Sequence, residues 1–478
     1  MSLLIILPAC SPFYLPIAKY HHFEFSFKGK PTENRSEEND ITEQPQKRNS
    51  YILGAFAVDF ETDDSFSCQL NHLNLPEGGE TMRRGLMVAV LFLFTLLVAG
   101  DRTALAGYRI IHEFDGTDGF APYGHLISVG HRLYGMTAGD SIDNKGMVFS
   151  LTSDGSDFTV LHHFAGQPGD GEWPQGSLFY QGDTLYGITW AGGCSENNCL
   201  NPDNNGCGTL FSLRTNGSNY KVFWEFSCGG ADLSASLPYA HFVSDGRRLY
   251  STAELGGEFE SGAVFAVRPD GTGFTILHSF SGSDGNQPAG GLALENGILY
   301  GTTFSGGDNN LGTVFSIGTN GSNFKVLHHF GGSDGEQCFS TPILAYNRIF
   351  GATAYGGVYN QGVIFSMRPD GADYQILHSF TENDSGPHEG VILVGDKLYG
   401  ATTNNGPTTF GVIYSLGLDG SQYTVWHRFD YNDGSWVRGR LLLLGNTLFG
   451  LASHGGQSGN GLVFAFDLPR PPTPPCRR

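Results

Sequence analysis

The fold is decided by a stretch that recurs along the chain, and in one clear copy residues 312–330 read GTVFSIGTNGSNFKVLHHF. Its β-branched and aromatic residues are typical of strands. Asn320-Gly321 divides the stretch in two, and glycine accepts the positive φ that a tight hairpin turn requires. We therefore predict two antiparallel strands joined by a hairpin, with Gly312–Ser316 in the first and Phe324–Phe330 in the second.

The second of these strands has seven copies, whose starts are spaced by 50, 62, 54, 50, 50 and 49 residues. The copies are 108–114, 158–164, 220–226, 274–280, 324–330, 374–380 and 423–429. Each unit also contains a short apolar strand, a strand of the type Leu-Tyr-Gly-x-Thr and a glycine loop. A period near fifty residues is that of propeller blades, so we predict an all-β, seven-bladed β-propeller of four-stranded antiparallel blades.

The two ends of the repeat region are complementary. Residues 108–114 form a fourth strand without the first three, whereas residues 438–467 provide three strands without a fourth. We predict that this N-terminal strand completes the C-terminal blade and closes the ring. The propeller then extends over residues 107–468 and is followed by a Pro-rich tail, 469–478.

The bulk composition agrees with such a fold and excludes one class of partner. The chain contains 69 Gly, 36 Phe and 20 Tyr with only 15% charged residues, which indicates short strands and very little helix. A formal net charge of −20 repels nucleic-acid phosphates, so we expect no nucleic-acid binding.

Residues 82–106 have the pattern of a secretory signal peptide. Met82-Arg-Arg is followed by an apolar run over 86–99 and by the small residues Ala104 and Ala106. We expect a secreted, periplasmic or cell-surface protein. Residues 1–81 are polar and aperiodic, and we predict that translation begins at Met82; the alternative is a disordered extension followed by an uncleaved anchor.

The repeat units resemble the GloVer (Gloeo-Verruco) tandem repeat of secreted bacterial proteins. The resemblance covers residues 108–467 and rests on Leu-Tyr-Gly-x-Thr, Gly-x-Val-Phe-Ser, Asp-Gly and Val-Leu-His-x-Phe in that order. It implies an exported repeat protein with no established catalytic activity. Some members carry surface anchors, but residues 469–478 contain no apolar segment, so we expect no stable membrane insertion of the mature chain.

Histidine recurs at one position in six of the seven units, and aspartate recurs in the turn of all seven. The histidines are His112, His162, His278, His328, His378 and His427, with Trp224 in the remaining unit. Repetition indicates an architectural role, and we expect each histidine to bond to Thr137, Thr189, Thr303, Thr353 or Thr402 of a neighbouring strand, and not to form a metal ring. The aspartates are Asp118, Asp170, Asp232, Asp284, Asp334, Asp384 and Asp433, and we expect them to hydrogen bond within their turns and not to bind calcium.

Four cysteines, Cys194, Cys199, Cys207 and Cys228, fall in one lengthened repeat. In an exported protein they indicate two disulfides, for which three pairings are open. A zinc site is the alternative, although the spacing lacks two paired knuckles. Cys338 and Cys476 are candidates for a further bridge.

The loops that follow the second strand vary most between units. We expect these loops and the acidic turns to share one face, where aromatic side chains would stack on sugar rings or line a peptide groove. The candidate ligand-binding residues are Trp173, Trp190, Phe304, Tyr355, Trp436 and His454. The alternative is that these rings pack on neighbouring blades.

No nucleophile elbow, metal dyad or phosphate-binding loop occurs in a plausible setting. We therefore predict a monomeric binding or scaffold module for a carbohydrate or a protein, without cofactor or metal, rather than an enzyme. The alternative is a secreted propeller hydrolase or lyase acting on polysaccharide, with carboxylates such as Glu172 and Glu254 converging in three dimensions.

Overall fold

A computed structural model describes residues 107–166, 169–193, 206–227, 235–238, 240–403 and 410–469, together with three strands nearer the N-terminus. The chain divides into two compact units, residues 1–96 and 97–478. In the first unit, strands Ser50–Leu53, Phe56–Phe60 and Phe66–Leu70 form an antiparallel sheet. The predicted signal peptide 82–106 and the tail from residue 470 onward lie outside the described residues.

The second unit consists of seven antiparallel sheets of four strands, and its described residues contain no helix, so the predicted all-β propeller is confirmed. We call the strands of each blade A to D, in sheet order. Blade 1 comprises Ile127–Val129, Arg132–Thr137, Met147–Thr152 and Thr159–His163; blade 2, Phe179–Gln181, Thr184–Thr189, Thr209–Arg214 and Lys221–Glu225; blade 3, Val243–Ser244, Leu249–Ala253, Ala263–Val267 and Thr275–Ser279. Blade 4 comprises Ala293–Glu295, Ile298–Thr303, Thr313–Gly318 and Lys325–His329; blade 5, Ile343–Ala345, Arg348–Thr353, Val363–Met367 and Gln375–Ser379; blade 6, Ile392–Val394, Lys397–Ala401, Val412–Gly417 and Thr424–Arg428.

Blade 7 closes the ring as predicted. Its strands A to C are Leu442–Leu444, Thr447–Ala452 and Leu462–Asp467, and its strand D is Tyr108–Glu113 from the start of the repeat region. The antiparallel register runs from Leu462 opposite Glu113 to Phe466 opposite Tyr108.

The hydrophobic core lies between the blades. Seven clusters of buried side chains each join two neighbouring blades, and the cluster between blades 7 and 1 contains Phe114, Phe149 and Phe449. Full burial of one such ring contributes about 1.5–3 kcal/mol. Because every blade covers the next, no sheet has to bury both faces by itself.

Every strand D contains a β-bulge at the same place. In blade 4 the register shifts between Val314 and Phe315, which leaves Leu327 as the extra residue on strand D. The same shift occurs in the other six blades. The bulge supports the next blade, because the hairpin between strands C and D of that blade packs on the bulge carbonyl.

This contact explains the recurrent Asp-Gly and Asn-Gly pairs. Gly420 in blade 6 has a φ of +83°, and a Cβ added there would lie 2.3 Å from the carbonyl oxygen of Leu377 in blade 5. The equivalent glycines meet the equivalent carbonyls at Gly155, Gly217, Gly271, Gly321 and Gly371. Glycine is thus required both for the turn and for the approach of two backbones.

The repeated histidines and aspartates form a contact between blades that we call the interblade clasp: the histidine of one strand D, the acidic turn that follows it, and the first aromatic residue of the next strand D. His278 stacks on Phe324 with ring centroids 3.5 Å apart, and its Nε2 lies 2.8 Å from Asp284 Oδ2. The other oxygen, Asp284 Oδ1, accepts the backbone N–H of Ser281 at 2.7 Å. The carboxylate of Asp284 therefore supports both its own turn, as predicted, and the histidine, whereas the predicted turn of Asp232 lies outside the described residues.

The clasp recurs around the ring with small variations. The histidine–aspartate distance is 2.8–3.2 Å for His112, His162, His278, His328 and His427. In blade 5, Tyr423 donates its hydroxyl to Asp384 at 2.7 Å instead, and His378 Nε2 has no hydrogen-bond partner. In blade 2, Trp224 takes the place of histidine and stacks on Phe274 at 4.2 Å.

The predicted threonine partners of the histidines are wrong. Thr137, Thr189, Thr303 and Thr353 each donate their hydroxyl at 2.8–2.9 Å to the carbonyl two residues further on, and Thr402 accepts the N–H of Val412. These hydroxyls are satisfied locally, on the side of strand B that faces strand C. The strand D histidines instead meet the acidic turn that lies directly beyond their own strand.

The cysteines are only partly described. Cys207 is buried and is not a free thiol, whereas Cys194, Cys199 and Cys228 lie outside the described residues, so the two disulfides stay a prediction. The proposed bridge from Cys338 to Cys476 is wrong, because Cys338 is a buried free thiol whose sulfur contacts the carbonyl of Ala352 at 3.0 Å. Within the described residues, no helix has the length and apolarity needed to cross a membrane.

Candidate functional site

The loop from strand D to strand A and the loop from strand B to strand C emerge on the same face of the ring, which we call the loop face. In blade 2 the two loops pair as the short strands Gly171–Glu172 and Ala191–Gly192. Equivalent bridges join Asn286 to Ser305 in blade 4 and Ser435 to His454 in blade 7. The predicted placement of these loops on one face therefore agrees with the structure.

One residue in each of these loops has a left-handed backbone. The seven are Ala121, Trp173, Leu237, Gln287, Gln337, Gly386 and Trp436, with φ between 50° and 73°. For a non-glycine residue this conformation costs about 1–2 kcal/mol, and here it is imposed by hydrogen bonds to two flanking loops. Trp173, for example, donates its N–H to Lys145 O of blade 1 and accepts from Trp190 N of its own blade.

Two of the predicted ligand-binding tryptophans form a stacked pair. Trp173 and Trp190 have ring centroids 6.0 Å apart and planes inclined by 27°. Trp173 Nε1 donates to the carbonyl of Asn144 at 2.9 Å, which fixes its ring. Both side chains are half-buried, so each packs on its partner and keeps part of its surface open.

A second pair lies on blade 7. Trp436 and His454 have ring centroids 5.0 Å apart, and Trp436 is 38% exposed. The guanidinium of Arg438 lies 4.9 Å from the Trp436 ring and 5.0 Å from the Tyr123 ring of blade 1. Arg438 Nε is buried without a hydrogen-bond partner among the described residues.

Phe304 and Tyr355 are placed differently. Phe304 packs on Phe339 of the next blade at 4.8 Å, as the packing alternative predicts. Tyr355 and His454 stand one residue further along their loops than Trp190 and Phe304, since Ala354 and Ser453 make the hydrogen bond that Phe304 makes in blade 4. The structure thus brings four of the six candidates together as two pairs in separate blades, Trp173 with Trp190 and Trp436 with His454, and does not gather the six into a single cluster.

The residues at the centre of the ring are not indicated by the sequence pattern. Phe339 stacks on His388 at 4.3 Å, and burial, followed by the charge of Arg438, lowers the pKa of His388 to about 3. Phe339, His388 and Arg438 occupy equivalent places two residues after the left-handed position. Because the residue type changes from blade to blade, the repeat pattern carried no signal for them.

Two residues deeper, a second set surrounds the channel: His125, Ser177, His241, Thr341 and Arg440. His125 Nδ1 and Ser177 Oγ are joined by a hydrogen bond of 2.8 Å. The imidazole ring of His125 lies 4.9 Å from that of His241. Burial lowers the pKa of His125 and brings that of His241 to about 3, with a smaller effect from Arg440. Both imidazoles are therefore neutral at pH 7.

Glu389 belongs to the same region. Burial raises the pKa of its carboxyl to about 7, against an opposing effect of Arg440. A cavity of about 280 Å³ is lined by His241, Thr341, Arg440 and Glu295 and by apolar residues of strands A. The centre of the ring thus contains the guanidinium groups of Arg438 and Arg440, the carboxyl of Glu389 that titrates near neutrality, the carboxyl of Glu295 and neutral imidazoles.

The other two carboxylates considered above have different partners. Glu172 forms an ion pair with Lys145 at 3.0 Å, and Glu254 accepts a hydrogen bond from Gln287 at 3.4 Å. Within the described parts of the chain, no three His, Cys, Asp or Glu side chains converge as a metal site requires.

The model of one protein family, the Gloeobacter/Verrucomicrobia repeat, matches residues 93–232, 199–348 and 341–470. The chain belongs to this family. The match spans all seven blades, so the Gloeobacter/Verrucomicrobia repeat in this chain is a blade unit of a closed propeller.

No curated protein matches this member of the Gloeobacter/Verrucomicrobia repeat family in sequence. Among solved structures, it is similar to a chain of the nidogen/laminin complex, with 12% identity and a TM-score of 0.40 over 66% of this chain and 96% of that one. An oligogalacturonate lyase in complex with manganese gives 12% identity and a TM-score of 0.47 over 76% and 98%. A puromycin-hydrolysing peptidase of Mycobacterium tuberculosis gives 14% and 0.48, and the match spans about half (52%) of its length.

Proposed function

We propose that the protein is an exported binding module that holds a carbohydrate on its loop face. The observation that carries the proposal is the Trp173–Trp190 pair, in which one ring is fixed by a hydrogen bond and a left-handed backbone. Flat aromatic surfaces held rigidly among polar loops suit the apolar faces of sugar rings. Trp436 with His454 offers a second such surface on another blade.

Binding is favoured over catalysis by the surroundings of the two described carboxyls whose pKa burial raises, Glu254 and Glu389, since no other charged group shifts the pKa of Glu254. None of the charged groups that affect Glu389 is a second carboxylate, and glycoside hydrolysis generally uses a pair. A hydrolase or lyase remains the alternative function, and the glycans bound in the test below are to be examined for cleavage products.

The test is a glycan array with the parent chain and the triple variant Trp173→Ala, Trp190→Ala, Trp436→Ala. We expect the parent to bind a subset of glycans and the variant to lose this binding, since stacking on each ring contributes about 0.5–1.5 kcal/mol. Trp224→His is the matched control, because Trp224 lies in the interblade clasp and six blades carry histidine there. Absence of binding by the parent, or equal binding by the triple variant, contradicts the proposal.

Export is part of the same proposal. Residues 82–106 carry the signal-peptide pattern, and we propose cleavage after Ala106, one residue before the first described residue of the propeller. N-terminal sequencing of the protein recovered from outside the cytoplasm should begin at Gly107. Peptides from residues 1–81 in the native precursor would contradict a start at Met82.

A further inference from the structure

The central channel contains a guanidinium without a protein partner. Arg440 lies at the position two residues before strand A of blade 7, and no hydrogen bond or ion pair joins its side chain to another described residue. The one opposite charge that affects the pKa of Arg440 is that of Glu389, and the two side chains are too far apart to form an ion pair. A buried cation that lacks a partner is costly unless water or an anion supplies one.

The surroundings of Arg440 are polar on one side and apolar on the other. His241 and Thr341 line the same cavity from the segments that precede strand A, and so lie nearer to the loop face. Val243, Leu294 and Ile343 line it from strands A of blades 3, 4 and 5, and the exposed Glu295 lines it at the end of strand A of blade 4, away from the loop face. The space of about 280 Å³ suits a small molecule and not a polymer.

We propose that the channel binds a small organic carboxylate, with its carboxylate on Arg440 and its apolar part against strands A of blades 3 to 5. The planar guanidinium matches a carboxylate with two parallel hydrogen bonds, and Thr341 offers a hydroxyl donor. The site is separate from the loop face and goes beyond the proposed carbohydrate binding. The chain has a net charge of −20, which repels anions in general. The guanidinium of Arg440 therefore attracts an anion at this one place although the rest of the chain is negatively charged.

The charge of Glu389 provides a second way to test the site, because it changes the affinity for a carboxylate. At pH 8 its carboxyl is largely ionised, since its pKa is raised only to about 7. Its charge then competes with a bound carboxylate for Arg440. Removal of this charge by Glu389→Gln should therefore strengthen binding, while Arg440→Met should weaken it.

The test uses the full chain and hexanoate as probe, with 1-hexanol as the uncharged ligand of equal length, followed by calorimetry and thermal unfolding at pH 8. We expect saturable binding of hexanoate and none of hexanol. Arg440→Met should weaken hexanoate binding about tenfold or more, as the loss of a charged hydrogen-bonded pair predicts. Glu389→Gln should bind more tightly than the parent.

Arg268→Gln is the control, because Arg268 is exposed at the hairpin of blade 3. Lack of a saturable response to hexanoate in the parent would overturn the proposal. Equal affinity in Arg440→Met would do so as well, and so would equal binding of hexanol. Should Arg440→Met fail to fold, Glu389→Gln and the two ligands decide the outcome without it.

Discussion

At the scale of single residues, one histidine and one aspartate perform the same task at almost every blade boundary. His328 stacks on Tyr374 at 4.0 Å and lies 2.9 Å from Asp334, whose other oxygen supports the acidic turn. The clasp thus couples a turn, a strand and the neighbouring blade. An apolar ring such as Trp224 can also stack at this position, but histidine contacts the aspartate as well, which explains why six of the seven blades have histidine there.

Removal of one clasp should cost measurable stability. His328→Ala loses a stacked ring and a hydrogen bond to a carboxylate, and we expect a loss of about 2–4 kcal/mol in the free energy of unfolding. His329→Ala is the matched control, because the adjacent strand residue faces the opposite side and contacts only the exposed Asp308. Urea unfolding of both variants measures the difference, and equal losses would contradict the clasp.

The buried histidines also make stability depend on pH. Burial lowers the pKa of His278 and His328 and brings that of His241 and His388 to about 3, whereas unfolded histidine titrates near 6.5. Their contribution is therefore fully present above about pH 6.5 and is lost as pH falls towards the folded values. Glu389 acts in the opposite direction between about pH 4.5 and 7, and so does Glu254, whose pKa burial also raises, but they are two groups against several histidines.

We expect the free energy of unfolding to fall by about 1–3 kcal/mol between pH 7.5 and 5.5. Urea unfolding at both values measures it, and His388→Gln should reduce the fall by removing one titrating group. A stability that increases on acidification over this range would contradict the assignment of these histidines as neutral.

At the scale of the element, the bulge of one strand D and the glycine hairpin of the next blade form a single packing unit. Gly420→Ala combines a positive φ with a Cβ 2.3 Å from Leu377 O. Gly395→Ala, in the same blade, has a φ of +62° and open space around the added Cβ. The pair therefore separates backbone strain from the contact between blades.

Gly395→Ala should cost about 1–2 kcal/mol, which is the price of a left-handed alanine. Gly420→Ala should cost clearly more, because the carbonyl that it meets is backbone and must shift. Thermal unfolding of the two variants compares them. Equal losses would show that the hairpin does not depend on its approach to the bulge.

The strands and turns could be predicted from the sequence because the residues that form them repeat in every blade. The site could be predicted only in part, because the residues that form it do not repeat. Asn320-Gly321 and its counterparts indicate hairpins by local chemistry alone. The partner of each histidine was missed, although Asp284 follows His278 by six residues and the pair recurs at that spacing in most units. Arg438 and Arg440 were missed because each occurs in one blade, so that only the closed ring shows what lies around them.

At the scale of the whole molecule, stability depends on the closing strand. Deletion of residues 107–115 removes strand D of blade 7 together with Phe114 and exposes the rest of that cluster around Phe149 and Phe449. We expect the variant to unfold or aggregate, as measured by circular dichroism and size-exclusion chromatography. A chain lacking residues 471–478 is the control, and an unchanged melting temperature in the first variant would contradict closure by this strand.

The closing strand also sets the order of events in biosynthesis. Tyr108–Glu113 leaves the ribosome before every other strand of the propeller, while its partner Leu462–Asp467 leaves last. During that interval the nascent chain carries an unsatisfied edge, and a second nascent copy presents the same edge. Refolding at high protein concentration should consequently yield strand-exchanged dimers, in which each copy donates its first strand to the last sheet of the other.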